Sequence, residues 1–552
     1  MQSSLGPALA AFRSGKLEQA RELALAELQA GSTPELHHLI GLIDCRLGRP
    51  DSGVEWLKRA SDARPGNLDF RIMLVRALVD SGRGEEAIEA APRPAGTTPT
   101  ELTLWQARAE AADAANRPDL AAEAWNRLCS ARRADWRAWT NLGRNLLVLN
   151  RLPEAESAYR TALSINRDAE AFRQLGLVYE RANRNDQLKL LLDEALAAGV
   201  APAKLADLRA VHELRTGRPE EAARHLESAD GDEPVRLHRL RARVADALHD
   251  SASAFEHSVT MNRATADFES WRDQSRVFRE AIRRSADALT AGWAERLPQL
   301  PAAEAAPAFL LGFPRSGTTL LDTFLLGHPR IAVLEERGLL TRAAEAAGPL
   351  EALVDVSAHR LEALRDSYLS EIRGEVADVR AHVIDKAPLN MLLAPLMHVL
   401  FPDAPILFVQ RHPCDAVLSG FMQSFTPNLG MASFLDIEDA AAFYDAAMTF
   451  WFTARDLLGL NVHTVVYEEL VRRPKEVLAG VVDFLGAGWD DRMLDHQATA
   501  ATRGPLTNTS YDQVTEPLTT RAIGRWHGYE KQLEPVLPLL LGWANRLGYP
   551  HP

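Results

Sequence analysis

The residues of this chain that are best suited to chemistry lie in the segment GFPRSGTT, residues 312–319, which follows the apolar run Phe309–Leu311. The segment has the two glycines and the final Thr319 of a phosphate-binding P-loop, but Thr318 stands where that loop has its lysine. Backbone N–H groups of such a loop and of the following helix can surround one phosphate. With Arg315 as the loop's cation, the pattern favours a single anionic group over a γ-phosphate carried with magnesium.

Two later apolar runs of this half are also followed by residues suited to phosphate chemistry. Glu335 and Glu336 follow the run Ile331–Leu334, and carboxylates near a phosphate site need a task such as metal binding or general-base catalysis. Lys386 follows the run His382–Asp385 and can supply the positive charge that the loop lacks. The alternative for the two glutamates is a structural role at the N-terminus of a helix. The alternative for Lys386 is an exposed surface lysine.

A second phosphate site is indicated after the apolar run Ile406–Gln410. Arg411 comes directly after this run, and Ser419 lies on the helical pattern that follows, so the two can grip a separate phosphate. Tyr467, at the end of a fifth run, can stack on a base or bond a phosphate. Two phosphate sites, a lysine and a carboxylate suit a nucleotide with a 5′-phosphate, an isolated 3′-phosphate and no β,γ-phosphates. That description fits 3′-phosphoadenosine 5′-phosphosulfate, PAPS.

Two motifs carry a resemblance to a known family. FPRSGTT is similar to the 5′-phosphosulfate loop of the sulfotransferases, and RHPCDAVLS is similar to their 3′-phosphate motif. The resemblance covers about residues 307 to 530 and points to bacterial tetratricopeptide sulfotransferases and, within animals, to tyrosylprotein sulfotransferases. It implies a donor-binding set that comprises Arg315, Ser316, Gly317, Thr318, Thr319, Arg411, Ser419, Tyr467, Ser510 and Arg525.

The resemblance also implies the catalytic roles. Glu336 corresponds to the catalytic base, Lys386 to a lysine that stabilises the transition state, and Arg315 adds positive charge at the donor. Two positions depart from the tyrosylprotein pattern. Gln423 stands where those enzymes have a further arginine, and Arg525 replaces their lysine, which keeps the charge but changes its geometry.

Strands and helices must alternate to position these residues. Such alternation predicts a mainly parallel sheet covered on both faces, with ligands at the carboxyl ends of the strands. The predicted strands are Phe309–Phe313, Ile331–Leu334, His382–Asp385, Ile406–Gln410 and His463–Tyr467. The predicted helices are Thr318–Leu326, Pro388–Leu400, Pro413–Phe425 and Pro474–Leu485. The expected fold class is therefore an α-helical solenoid followed by a P-loop-like parallel-sheet α/β domain.

The solenoid is predicted from a repeat in the first half. A Gly or Asn followed by Lys or Arg recurs at intervals of 33 or 34 residues, at positions 15, 48, 82, 116, 150, 183 and 217. Small residues recur seven residues before and five residues after the turn, in six of the seven cases at each position, where paired helices would approach closely. A period of 34 built from two helices is typical of tetratricopeptide repeats, expected over residues 1–265 with a degenerate eighth unit near Asp250.

Such arrays usually bind proteins or peptides on a concave face, so the repeats are predicted to bind a protein or peptide acceptor or partner. The alternative is a rigid spacer or an arm for forming a homodimer. Residues 266–306 read as a helical linker that ends in a stretch rich in Pro and Ala, and residues 307–552 as the sulfotransferase domain.

Composition sets outer limits on the function. The formal net charge of -13 argues against nonspecific binding to nucleic acid or an anionic membrane. Three distant cysteines, no N-terminal signal pattern and no apolar run that could span a bilayer favour a cytoplasmic protein. His328, His382 and His398 lack zinc-like spacing, and no metal is expected.

The predicted function is transfer of a sulfuryl group from PAPS to an acceptor hydroxyl, with PAP as the product. The resemblance suggests a protein tyrosine as the acceptor, while carbohydrate, lipid-linked and small phenolic acceptors stay open. Two other functions compete with this one. One is a repeat scaffold whose sulfotransferase-like domain is inactive, and the other is an ATP-dependent enzyme, against which the missing loop lysine argues.

Overall fold

A computed structural model describes residues 6–229, 233–303, 306–376, 382–503 and 517–550 of the 552. The chain forms two compact units, residues 1–208 and residues 209–552. Among the described residues, no helix is long and apolar enough to cross a membrane.

The first unit is built from helix pairs, as the repeat predicts. The pairs are α1 (Gly6–Arg13) with α2 (Leu17–Ala30), α3 (Pro34–Arg46) with α4 (Pro50–Ala63), α5 (Leu68–Asp80) with α6 (Gly84–Ala90), α7 (Pro99–Ala114) with α8 (Pro118–Ala131), α9 (Trp136–Val148) with α10 (Leu152–Ile165), and α11 (Ala169–Arg181) with α12 (Asn185–Ala197). Each recurring Gly or Asn has a positive φ, from 53° at Asn183 to 76° at Gly15, which ends one helix and redirects the chain into the next.

The recurring small residues lie where the paired helices touch. A Cβ atom on Gly53 would come within 2.3 Å of the Cys45 sulfur, and one on Gly143 within 2.8 Å of the Tyr159 ring. The tetratricopeptide prediction for the first half is therefore confirmed at the level of the helix pairs and their contacts.

The helix-pair pattern continues into the second unit. The pairs α13 (Ala206–Arg215) with α14 (Pro219–Glu227) and α15 (Pro234–Ala247) with α16 (Ser251–Arg263) precede a long helix, α17 (Phe268–Ala288). The turn of the eighth pair is at His249, with φ 61°, next to the predicted Asp250. The compact second unit thus begins ahead of residue 265, and the domain boundary after that residue stays a prediction.

The second unit contains a five-stranded parallel sheet in the order β2-β3-β1-β4-β5. Its strands are β1 (Ala308–Gly312), β2 (Ile331–Glu335), β3 (His382–Lys386), β4 (Ile406–Gln410) and β5 (Val462–Val466). All five predicted strands are present within one residue of their expected ends. Because β3, β1 and β4 are neighbours, the residues that follow these three strands come together at one edge of the sheet.

Helices cover both faces of this sheet. In chain order, the helices described after α17 are α18 (Ala291–Ala294), α19 (Thr318–Leu326), α20 (Leu339–Ala347), α21 (Ala358–Glu375), α22 (Ala394–Leu400), α23 (Pro413–Phe421), α24 (Ile437–Leu458), α25 (Tyr467–Arg472), α26 (Pro474–Phe484), α27 (His496–Arg503) and two further helices, Glu530–Leu533 and Leu537–Arg546. Short 3₁₀ turns lie at Pro202–Leu205, Leu350–Asp355, Pro388–Leu393, Met431–Leu435, Asp491–Leu494, Thr520–Ala522 and Arg525–Tyr529.

Strand β1 is buried on both faces, and its side chains alternate between two cores. Phe309 and Leu311 belong to the core that α24 covers, while Ala308 and Leu310 belong to the core on the opposite face with α19 and α26. A strand enclosed in this way holds the loop that follows it at a fixed position, which is what a phosphate-binding loop requires.

Candidate active site

The loop after β1 has the backbone of a tight anion-binding turn. Arg315 and Gly317 have φ values of 70° and 101°, and the Ser316 amide donates to the Phe313 carbonyl at 3.1 Å. A positive φ at a non-glycine residue such as Arg315 is unfavourable and persists where surrounding structure imposes it. Gly317 also lies against the Tyr467 ring, where an added Cβ would come within 2.4 Å of that ring.

Arginine and serine side chains predicted to hold two phosphates form one connected cluster. The Arg315 Nε donates to the Ser419 hydroxyl at 3.2 Å, and the Arg411 Nη1 donates to the Arg315 carbonyl at 2.8 Å. The Arg411 guanidinium lies over the Tyr467 ring, 4.7 Å from its centroid. The structure therefore joins the motif after β1 to the motif after β4, which are about a hundred residues apart in sequence.

This cluster concentrates positive charge. Burial, together with the charges of Arg411 and Arg525, lowers the pKa of Arg315 to about 10, against an opposing effect of Tyr467. The Arg411 Nε is buried and has no hydrogen-bond partner among the described residues. Guanidinium groups that repel one another, together with a buried donor, fit an anionic ligand such as a nucleotide with two phosphates.

Lys386 lies at the centre of a second cluster, at the neighbouring strand ends. Its Nζ is 2.8 Å from a Glu336 oxygen, 3.0 Å from a Glu335 oxygen and 3.7 Å from an Asp322 oxygen. Lys386 and Asp322 are fully buried, whereas half of the Glu336 side chain is exposed. Lys386 is thus no surface lysine, and Glu336 is the carboxylate of the three that solvent or a substrate reaches most easily.

The backbone holds Glu336 in place. Its amide donates to the Lys386 carbonyl at 2.7 Å, and its φ is 49°, a second unfavourable non-glycine value at this edge of the sheet. Burial lowers the pKa of Lys386, but the carboxylates of Asp322, Glu336 and Glu335 outweigh burial and raise it. The pair therefore joins a permanently charged ammonium to an accessible carboxylate, which suits charge stabilisation and proton abstraction respectively.

Asp385, the residue before Lys386, points the other way into the core. It is 1% exposed, and one of its carboxylate oxygens accepts a hydrogen bond from the Tyr368 hydroxyl at 2.7 Å. Burial raises the pKa of Asp385 from 3.8 to about 6, although the bond from Tyr368 lowers it. The folded protein therefore binds a proton here more tightly than the unfolded chain does.

This proton makes stability depend on pH. As pH rises from about 3 to about 7, the wild-type free energy of unfolding should fall by about 3 kcal/mol from this group, because the folded state must release a proton that the unfolded state has already lost. Asp385→Asn should abolish this decrease. Urea denaturation across that range measures it, with the exposed Asp366→Asn as control. An unchanged pH profile in Asp385→Asn would show that Asp385 ionises normally.

A segment near the C-terminus, residues 522–529, contacts the arginine cluster, and we call it the clasp. The Arg411 Nη2 donates to the Ala522 carbonyl at 2.6 Å, and the Asp415 carboxylate accepts the amides of Gly524 and Trp526 at 2.7 and 2.9 Å. Arg525, the predicted donor-binding residue of the clasp, is close enough to Arg315 to affect its pKa.

The remaining predicted residues have different outcomes. Thr318 and Thr319 are buried, 4% and 7% exposed, at the start of α19. Tyr467 begins α25 directly after β5 and contacts both Gly317 and Arg411. Ser510 lies outside the described residues, so its predicted role stays a prediction.

Three acidic residues of this region were not found by sequence reasoning. They are Asp322 beside Lys386, Asp415 under the clasp, and Asp246 on α15, whose carboxylate is 3.1 Å from the Arg525 Nε. A signal was available for Asp322, because it lies four residues after the predicted helix start, on an otherwise apolar helix. Among the described residues, no group of three or more His, Cys, Asp or Glu side chains could hold a metal ion.

Comparison with known proteins places a family domain on this half of the chain. Residues 307–491 match the model of the Sulfotransferase family. An uncharacterized protein of Aquifex aeolicus is 26% identical over 326 residues, which are 56% of this chain and 41% of that protein. Protein-tyrosine sulfotransferase 2 of Gallus gallus is 26% identical over 275 residues, 44% of this chain and 72% of that enzyme.

The chain is also similar to solved structures at low sequence identity. A tetratricopeptide repeat protein from Parabacteroides merdae is 17% identical and covers 44% of this chain and 96% of its own, with a TM-score of 0.36. The chain spans less than half the length of the Aquifex protein. It carries a sulfotransferase-family domain at residues 307–491, preceded by tetratricopeptide-like helix pairs.

Proposed function

We propose that this protein transfers a sulfuryl group from PAPS to the hydroxyl of an acceptor and releases PAP. One observation carries the proposal. The two phosphate motifs form a single arginine cluster through the Arg315–Ser419 and Arg411–Arg315 contacts, while the Glu336–Lys386 pair lies at the adjoining strand ends. The family of the domain and its similarity to protein-tyrosine sulfotransferases support the same activity.

The donor-binding set would divide by phosphate. The loop amides with Ser316, Thr318 and Thr319 would hold the 5′-phosphosulfate, and Arg411 with Ser419 would hold the 3′-phosphate. The Ser419 hydroxyl accepts a hydrogen bond from the Arg315 side chain, so this contact would connect the two phosphate sites when the donor is bound. PAPS, when bound, supplies a sulfuryl group activated by its bond to the 5′-phosphate.

The catalytic residues would then act on the acceptor. Glu336 accepts the proton of the acceptor hydroxyl as the acceptor oxygen attacks sulfur. A bond forms between that oxygen and sulfur while the bond between sulfur and the 5′-phosphate oxygen breaks, and PAP leaves. Lys386 and Arg315 place positive charge beside the oxygens on which negative charge grows. The ion pair at 2.8 Å holds the Glu336 carboxylate beside the Lys386 ammonium, so both groups are in place before reaction.

The acceptor and the repeats complete the proposal. By analogy with the protein-tyrosine sulfotransferases, the acceptor is a protein tyrosine, presented by a protein or peptide that binds the helix pairs. The protein would work in the cytoplasm. Transfer from labelled PAPS to a panel of peptides, glycans and phenols identifies the acceptor class.

A ligand experiment tests the donor. PAP at a hundred times its Kd should add about 2.7 kcal/mol to the stability of the protein and raise its melting temperature by about 5 °C, whereas ATP with magnesium should raise it far less. Adenosine 5′-phosphate, which lacks the 3′-phosphate, is the matched control and should give a smaller shift than PAP.

The outcomes distinguish the competing functions. An equal or larger shift with magnesium and ATP would overturn the PAPS assignment in favour of a nucleoside triphosphate. Tight PAP binding without transfer to any acceptor of the panel would favour a repeat scaffold with an inactive sulfotransferase-like domain.

A further inference from the structure

The clasp is bonded to helix α15 of the eighth helix pair as well as to helix α23 beside the sheet. The Asp246 carboxylate, at the end of α15, accepts from the Arg525 Nε at 3.1 Å and lies 3.0 Å from its Nη2. The same carboxylate accepts the Tyr529 hydroxyl at 2.5 Å. Asp246 and Arg525 are 279 residues apart in sequence, and both belong to the second compact unit.

These contacts fix the clasp at both ends of its 3₁₀ turn. Tyr529 is 3% exposed, and burial together with Asp246 raises the pKa of its hydroxyl, which therefore remains a donor. Arg525 has five N–H donors, of which its contacts with Asp246 and with the Met422 sulfur use three. These contacts leave the two N–H groups of Nη1 unused, and Arg525 is close enough to Arg315 for its charge to lower the pKa of that arginine.

A second contact from the same helix pair supports the other half of the arginine cluster. The Asn262 amide, on α16, donates to the carbonyls of Phe421 and Phe434 at 3.1 and 3.2 Å. Phe421 is the last residue of α23, the helix that carries Ser419 and Asp415, so Asn262 satisfies a carbonyl that the helix end leaves open. The eighth helix pair therefore contacts both the clasp and the helix under it.

We infer that Asp246 is a positioning residue for PAPS, which holds the Arg525 guanidinium ready for a phosphate of the donor. The inference rests on the proposed function. An unrestrained arginine side chain loses rotamer freedom when it binds a phosphate. Asp246 imposes that loss before the donor arrives, so binding gains the contact without the ordering cost.

Coupling between the two residues has a measurable consequence. In the full-length protein, Asp246→Ala and Arg525→Ala should each weaken PAP binding about tenfold, which equals about 1.4 kcal/mol. The double variant should bind no more weakly than Arg525→Ala alone, because Asp246 acts only through that arginine. Asp246→Glu should restore part of the affinity.

Two controls separate positioning from support of the fold. Tyr529→Phe removes the other donor to Asp246 but keeps the ring that lies 5.6 Å from the Arg525 guanidinium. Asp250→Ala removes the N-terminal cap of α16, where Asp250 accepts the Ser253 amide at 3.0 Å. Both should leave the Kd for PAP within about twofold of wild type, since neither a lost helix cap nor a lost hydroxyl removes a contact with the ligand.

Calorimetric titration with PAP decides between the outcomes. Equal losses in Asp250→Ala and Asp246→Ala, additive losses in the double variant, or tighter binding by Asp246→Ala would overturn the inference. So would unchanged binding by Arg525→Ala in a protein whose wild type binds PAP, and the proposed function would then stand. Failure of the wild type to bind PAP would overturn the proposed function and the inference with it.

Discussion

Replacement of Glu336 by glutamine should lower the rate of sulfuryl transfer by about 10²–10⁴-fold while the Kd for PAP stays unchanged. Glutamine has the same shape and can still accept a hydrogen bond from Lys386, which lies 2.8 Å from the Glu336 carboxylate. It cannot take a proton from the acceptor. The loss should therefore appear in kcat, and the melting temperature of the variant should stay close to that of the wild type.

The neighbouring residue provides the matched control. Glu335 bonds the same ammonium at 3.0 Å, but its side chain is only 18% exposed, against 50% for Glu336. Glu335→Gln makes the same chemical change one position away and should lower kcat less than tenfold. If Glu335→Gln abolished transfer and Glu336→Gln did not, the base would be Glu335.

The fold was predictable from the sequence where local rules repeat. Seven turns of Gly or Asn gave the helix pairs, because a left-handed residue is needed at each of them. The eighth turn uses His249, a residue that signals no such turn, so the last pair was only approximately placed. Helix α24 was not among the predicted helices, because side chains on most of its sides are buried and its periodic pattern is weak.

Some residues of the candidate site were likewise predictable from the sequence, and others were not. Residues at or just beyond the ends of strands were predictable, because parallel strands bring their carboxyl ends to one edge of the sheet, as seen for Arg315, Lys386 and Arg411. Asp246 was not predictable, since its role depends on a helix pair packing against a segment 279 residues away. Neither motif nor period carries information about such packing.

Asp322, for which the sequence did carry a signal, bears on the second prediction with a large effect. Lys386→Met should abolish transfer and destabilise the protein by about 3–5 kcal/mol, because methionine fills similar space but leaves buried carboxylates without their countercharge. Asp322 is fully buried, and its oxygen lies 3.7 Å from the lysine nitrogen. A lower melting temperature and lost transfer are therefore expected together.

A second substitution separates the two losses. Asp322→Asn in the Lys386→Met background removes one uncompensated charge and should recover at least half of the lost stability, measured by urea denaturation, while transfer stays undetectable. Asp322→Asn alone should keep transfer, since Glu335 and Glu336 still bind the ammonium at 3.0 and 2.8 Å. The lysine's own stabilising effect should persist below pH about 10, since its pKa is raised above 10.5, and be lost only at more alkaline pH. Recovery of both stability and transfer in the double variant would mean that Lys386 only balances charge, and that the transition state takes its positive charge from Arg315.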